Sequence, residues 1–125
     1  MLQKFLLIVV AGGFGALSRY GLAGVVQKAA GSGFPYGTMV VNISGCLIAG
    51  FLWALAENRL NLSGEARAFV FIGFMGAFTT FSTYILETSE LMRNGEWMLA
   101  ASNVLVQNIV GIVMFFIGLA AGSYV

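Results

Sequence analysis

Histidine is absent from this chain, cysteine and proline occur once each, and Lys, Arg, Asp and Glu together make up 9% of its 125 residues. Each scarcity excludes a class of chemistry. Without His, and with Cys46 as the sole thiol, there is no cluster spaced to hold a transition metal and no pair to build a disulfide framework. Cys46 lies in an apolar run with no base near it in sequence, so it reads as a small buried hydrophobe. The net charge of +1 is scattered, and no basic stripe carries interleaved aromatics, which excludes nucleic acid as a partner. An ordinary soluble domain is about 25% charged. This one is 59% hydrophobic with a mean hydropathy of +0.92, a composition suited to lipid rather than water.

What remains is long apolar runs. A membrane-crossing helix needs about 20 predominantly apolar residues to traverse ~30 Å of hydrocarbon, and the few charges act as punctuation between such runs. The pattern predicts an all-α membrane protein with a single four-helix transmembrane domain over residues 1–125, its spans at about 2–27, 36–56, 68–92 and 97–124. The Gly-Ser-Gly-Phe-Pro stretch, the polar run Glu57 to Arg67, and Arg93-Asn94-Gly95-Glu96 are the connections. Met1-Leu2-Gln3-Lys4 followed by an apolar run superficially resembles a signal peptide, yet the run continues to Val26 with only Arg19 interrupting it. It is read as the first span.

Orientation follows the excess of Lys and Arg on the cytoplasmic side. Here one side holds Lys4, Arg59 and Arg67 and the other Lys28 and Arg93, which is almost no bias. Such a chain can insert both ways, and oppositely oriented copies can pair about an axis in the membrane plane. An antiparallel homodimer is therefore expected, against the plainer alternative that a weak bias still fixes one topology. The 17 glycines fall in stripes, with Gly12, Gly13 and Gly15 in span one, Gly45 and Gly50 in span two, and Gly111, Gly118 and Gly122 in span four. Small residues let helices approach closely in lipid, so the stripes predict a compact bundle and say nothing of substrate.

Function in a membrane protein concentrates in polar groups that lipid penalises, and four places qualify. Arg19 sits deep in span one, either as a snorkelling anchor or as an attractor of anions. Thr38 and Asn42, four residues apart, share one face of span two, where Asn42 offers either an interhelical hydrogen bond or two donors to a ligand. Gly73-Phe74-Met75-Gly76-Ala77-Phe78-Thr79-Thr80-Phe81-Ser82-Thr83-Tyr84, in the middle of span three, has two glycines and four aliphatic hydroxyls, a poor helix whose hydroxyls can satisfy freed backbone groups. It predicts a third helix interrupted between Gly76 and Thr80, with carbonyls able to hold a cation; a continuous helix with a Ser/Thr packing face is the competing reading. Phe78, Phe81 and Tyr84 recur at three-residue spacing, either as core or as ring edges turned toward an anion. Lastly, Asn103, Gln107 and Asn108 place amides at helical spacing in span four, able to line the same path. Donors, ring edges and one arginine, with no ring of acids, suit a small, strongly hydrated anion better than a cation.

These residues resemble the Fluc (CrcB) family of fluoride channels over nearly the whole chain. The likeness lies in Gly12-Gly13-Phe14-Gly15-Ala16 with Arg19-Tyr20, in Pro35-x-Gly37-Thr38 through Asn42 to Gly45, and most specifically in Gly73-Phe74-x-Gly76 with Thr79-Thr80-Phe81-Ser82-Thr83 and Glu87. The resemblance implies a dual-topology homodimer in a bacterial inner or plasma membrane, with two antiparallel pores. It implies passive export of fluoride that lowers fluoride toxicity, and a structural sodium ion held at the dimer centre by the backbone carbonyls of Gly76 and Thr79. In the pore it implies Asn42 as a donor, the edge of Phe81, and Ser82 and Thr38 close to the path, with Asn108 carried over from span four and Arg19 and Glu87 as vestibule or structural residues. Tyr84 matches the family's second pore aromatic but departs from its usual Phe, and Asn103 and Gln107 fit the family spacing less well than Asn108. A four-span proton-coupled multidrug transporter is the alternative, but its mechanism requires a carboxylate in the first span, and this span has none. An assembly subunit without transport would explain the glycines and leave the Thr-rich break without a purpose.

Overall fold

The computed structural model describes all residues 1–125 and contains four helices long and apolar enough to cross a membrane, with no strands. Only 22 of 125 residues are buried, while large apolar side chains such as Phe5, Val9, Leu17, Ile72, Ile109 and Phe116 face outward. In water that surface would drive aggregation; in lipid it is the compatible one. The protein is a multi-pass membrane protein.

The first span is α1 (Leu2–Ala30). It runs three residues past the expected end because Gln27 ties the connection down: Gly37 N–H donates to Gln27 Oε1 at 3.0 Å, and Gln27 Nε2 donates to Phe34 O at 2.9 Å and also to Gly31 O. Gly31 takes φ 94, a conformation that disfavours any side chain, and so ends the helix. The second span is α2 (Tyr36–Asn58). Its C-terminal carbonyl at Ala56 accepts from Arg67 Nη2 at 3.2 Å, which places a cation at the negative end of the helix dipole.

The third span, Gly64–Arg93, is built from pieces. Ser63 caps α3 (Gly64–Arg67) by accepting from Ala66 N–H at 3.2 Å, so the helix starts four residues earlier than the polar run suggested. Ala68–Met75 then winds as a π-helix, which nothing in its apolar sequence announced. After α4 (Gly76–Phe78) the backbone extends at Thr79 (ψ 158) and Thr80 (φ −148, ψ 116), and α5 (Phe81–Arg93) resumes. The expected interruption is therefore present, at Thr79 and Thr80. The fourth span is α6 (Trp97–Tyr124).

Alternate spans run parallel, held by glycine. The most extensive pairing is α2 with α6. A Cβ on Gly50 would strike Phe115 O; one on Gly118 would strike Leu47 O and come 2.9 Å from Phe51 N; one on Gly122 would lie 2.6 Å from Phe51 O. On the other side α1 lies against the third span, where a Cβ on Gly15 would meet Phe74 O and Ala77 Cβ. Between the two pairs Val41, Met75 and Phe78 form the small buried core. Such approach trades side-chain volume for dispersion contact between backbones, the main attraction left to helices in lipid.

Gly118→Ala is therefore expected to force α2 and α6 apart at a cost of about 1–3 kcal/mol, whereas Gly13→Ala, with nothing within 4 Å of the added carbon, changes little. Thermal unfolding in detergent checks this; equal melting of the two variants would show that the α2–α6 contact does not hold the bundle.

Candidate functional site

The interruption in the third span is not a gap in bonding but an exchange of partners. The side-chain amide of Asn42, one turn beyond Thr38 on α2, pairs with both backbone groups of Thr80: Thr80 N–H donates to Asn42 Oδ1 at 2.8 Å, and Asn42 Nδ2 donates to Thr80 O at 3.0 Å. In a continuous helix the Thr80 N–H would serve Gly76 C=O. Diverted to Asn42, it leaves that carbonyl without its helical donor. One residue set further on the same happens again, since Thr83 N–H donates to Thr80 Oγ1 at 3.2 Å rather than to Thr79 C=O. The two carbonyls expected to hold a cation are thus among those at the break whose i+4 donors are drawn elsewhere, beside those of Ala77 and Phe78, whose i+4 partners Phe81 and Ser82 open α5. No cluster of His, Cys, Asp or Glu competes for a metal, and main-chain oxygens at a helix break are ligands suited to a hard monovalent ion. The donor set fits sodium.

Gly76, Thr79, Thr80, Phe81 and Tyr84 line an open groove of about 680 Å³ together with Asn42 and Cys46 of α2 and Gln107 and Asn108 of α6. Every lining side chain is uncharged. Phe81 stands out at 75% exposure, while Tyr84 is buried with its ring centroid 5.5 Å from that of Phe81. Phe78 does not continue their stripe, because the break turns it into the core, where it stacks on Phe74 at 5.8 Å. Tyr84 Oη accepts from Asn108 Nδ2 at 3.1 Å, which leaves the phenolic proton directed away from that bond. Both protons of Asn42 Nδ2 are engaged, one by Thr80 O and one by Gln107 Oε1 at 2.7 Å.

The remaining residues fall elsewhere. Thr38 Oγ1 donates to Glu87 Oε1 at 2.7 Å, and Glu87 Oε2 is buried without a partner. Glu87 lines a second cavity of about 470 Å³, between the α1–α2 connection and the C-terminal end of α5, with Gln27, Glu90 and Asn94. Arg19 is half-buried on α1 and lines neither cavity, and exposed Ser82 lies beside the groove without lining it. Asn103 is fully buried, donating to Thr88 Oγ1 at 2.9 Å. Gln27 and Thr88 carry structural bonds that sequence reading did not single out; Thr88, a polar residue on the buried face of an amphipathic helix, had a detectable signal.

Residues 6–119 match the family described as CrcB-like protein, Camphor Resistance (CrcB). Over all 125 residues of both chains the protein is 52% identical to a protein of Desulforapulum autotrophicum named fluoride-specific ion channel FluC. It is 52% identical over 118 residues, 94% of each chain, to one so named from Nitrosococcus oceani, and 46% identical over 124 residues, 99% of this chain and all of the other, to one from Nitratidesulfovibrio vulgaris. With the motifs of spans one to three and full-length relatives in agreement, the chain belongs to the CrcB family.

Proposed function

We propose that the protein is a fluoride-selective channel that lets fluoride leave a bacterial cytoplasm down its gradient, as an antiparallel homodimer with two pores and a structural sodium ion between the subunits. The observation that carries this reading is identity at about half of all positions, end to end, with chains named fluoride-specific ion channels. The geometry supports it. An uncharged, donor-bearing groove open on one side, with a phenylalanine 75% exposed at its rim, is a wall that a second copy completes. Without an acid in α1, the proton-coupled transporter lacks its carrier of protons.

Fluoride must exchange a tightly held hydration shell for protein donors. Of the two Asn42 protons, one maintains the Thr80 carbonyl and with it the break; the other, on Gln107 Oε1, is the one a passing anion can borrow. The edge of Phe81 supplies a positive quadrupole without a net charge that would trap the ion, and the Tyr84 hydroxyl, held by Asn108, adds a donor where the family usually has a bare ring. Glu87, which lines the second cavity and accepts from Thr38, would stand at one approach to this path. The sodium ion would neutralise the carbonyls of Gly76 and Thr79 at the subunit boundary and is not itself transported. Export benefits the cell because HF enters as a neutral acid and dissociates in a more alkaline interior.

Proteoliposomes loaded with fluoride are expected to release it on addition of the purified protein to the membrane, with sodium present and without an energy source, while chloride-loaded controls stay full. Retention of fluoride under those conditions would refute the reading. Asn42→Leu removes the borrowed donor and the grip on Thr80 together, each interhelical bond being worth about 0.6–2 kcal/mol, so flux should fall by at least about tenfold while the dimer still elutes as such in gel filtration. Undiminished flux would exclude Asn42 from the path.

A further inference from the structure

Asn103 is fully buried in α6, lines neither cavity and touches neither the break nor the groove's aromatic pair. A carboxamide at that depth is costly unless its bonds serve a purpose. Its partners supply one. Thr80 N–H donates to Asn42 Oδ1 (2.8 Å), Asn42 Nδ2 to Gln107 Oε1 (2.7 Å), Gln107 Nε2 to Asn103 Oδ1 (2.8 Å), Asn103 Nδ2 to Thr88 Oγ1 (2.9 Å), and Thr88 Oγ1 to Tyr84 O (2.7 Å).

We infer that Asn103, Gln107 and Thr88 are positioning residues that orient Asn42 on Thr80 and thereby keep the Gly76 carbonyl free for a cation. The relay starts at a group that can only donate, the Thr80 N–H, and ends at one that can only accept, the Tyr84 carbonyl. Between these fixed ends three amides and a hydroxyl have one orientation in which every bond is made. Both ends lie in the third span, at the cap of α5 and about one turn along it, so the relay closes a loop through α2 and α6 back to the helix it started from. Aligned bonds of this kind polarise one another in a low-dielectric interior. If Asn42 turned its amide over, it would present Nδ2 to the Thr80 N–H and lose that bond. The N–H and C=O of Thr80 already favour this orientation, and Gln107 Oε1 adds a third bond that holds it, itself kept in place by Asn103 through Nε2 and, behind Asn103, by Thr88. A role limited to gluing α5 to α6 would leave Thr80, on the far side of the loop, unaffected.

The functional consequence rests on the sodium site proposed above, so the experiment reads the relay and the ion separately. Exchange of the Thr80 amide proton is followed by NMR in detergent micelles for the wild type, Thr88→Val, Thr88→Ser and Asn103→Leu, and the sodium dependence of fluoride efflux is measured on the same four proteins in liposomes. Thr88→Val replaces the relay hydroxyl with a methyl of similar size, and Thr88→Ser restores it. The expected result is that exchange at Thr80 quickens about three- to tenfold in Thr88→Val and Asn103→Leu and returns toward the wild-type rate in Thr88→Ser, while half-maximal flux requires more sodium by a similar factor. Unchanged exchange at Thr80 in both Thr88→Val and Asn103→Leu overturns the relay. Quickened exchange in a protein whose wild-type flux ignores sodium upholds the relay and refutes the sodium site instead.

Discussion

Two hydrogen bonds between the side chain of Asn42 and the backbone of Thr80 decide what the third span can be. A peptide group in hydrocarbon that is not bonded costs several kcal/mol, so a helix cannot simply stop at mid-membrane. It can stop where another group offers a donor and an acceptor at the spacing of a peptide, and a primary carboxamide has both. Thr80 then caps the next helix with its own hydroxyl. The break is therefore fully bonded at Thr80 and deliberately under-bonded one turn earlier, at the carbonyl of Gly76. Loss of Asn42 would not merely weaken a contact between α2 and the third span; it would leave both backbone groups of Thr80 without their partners.

The glycine pairs make that exchange geometrically possible. Asn42 has a short side chain, and it reaches the Thr80 backbone only because α2 lies close to the third span. A Cβ on Gly45, one turn along α2, would collide with the Thr79 methyl. The same economy appears at α2 and α6, where Gly50, Gly118 and Gly122 bring backbones together and set Gln107 within 2.7 Å of Asn42. Packing residues and polar residues on α2 thus alternate in one face: Thr38 to Glu87, Val41 into the core, Asn42 to Thr80, Gly45 against Thr79.

Much of this was legible in the sequence because it depended on local composition. Four spans follow from apolar length and sparse charge, and the interruption follows from two glycines and a run of hydroxyls. The π-helical turns over Ala68–Met75 were not legible, since Ala-Phe-Val-Phe-Ile-Gly-Phe-Met offers the same apolar surface to an α-helix. Helix ends depart from the local pattern where a side chain from outside it intervenes, as Gln27 does for the turn after α1. Pairings were the least accessible. Asn42 could be read as a donor to a ligand or as a bond between helices, and its partners stand 38 and 65 residues away. Both readings were open because the distinction is tertiary. The structure engages both protons, so any service to an ion is by exchange with Gln107.

On the proposed channel reading, that exchange bears on how the groove, closed by a second copy, could pass an anion without trapping it. A site lined by a fixed cation would hold a small anion strongly in a low dielectric and release it slowly. Here no charged side chain lines the groove; Glu87 is in the other cavity, at one end of the bundle, bonded to Thr38. An anion in the groove meets neutral donors already in use by the protein, so what it gains is the difference between its own bond and the internal one it displaces. Hydrogen bonds to a charged partner are roughly twice as strong as neutral ones, which leaves a small positive margin per donor. That margin must still offset the hydration shell the ion gives up, which the smallest, hardest anion holds most tightly. On the proposed fluoride path, donors that are shared rather than free keep net binding weak, and the relay proposed behind Asn42 sets the internal bond against which the ion would compete.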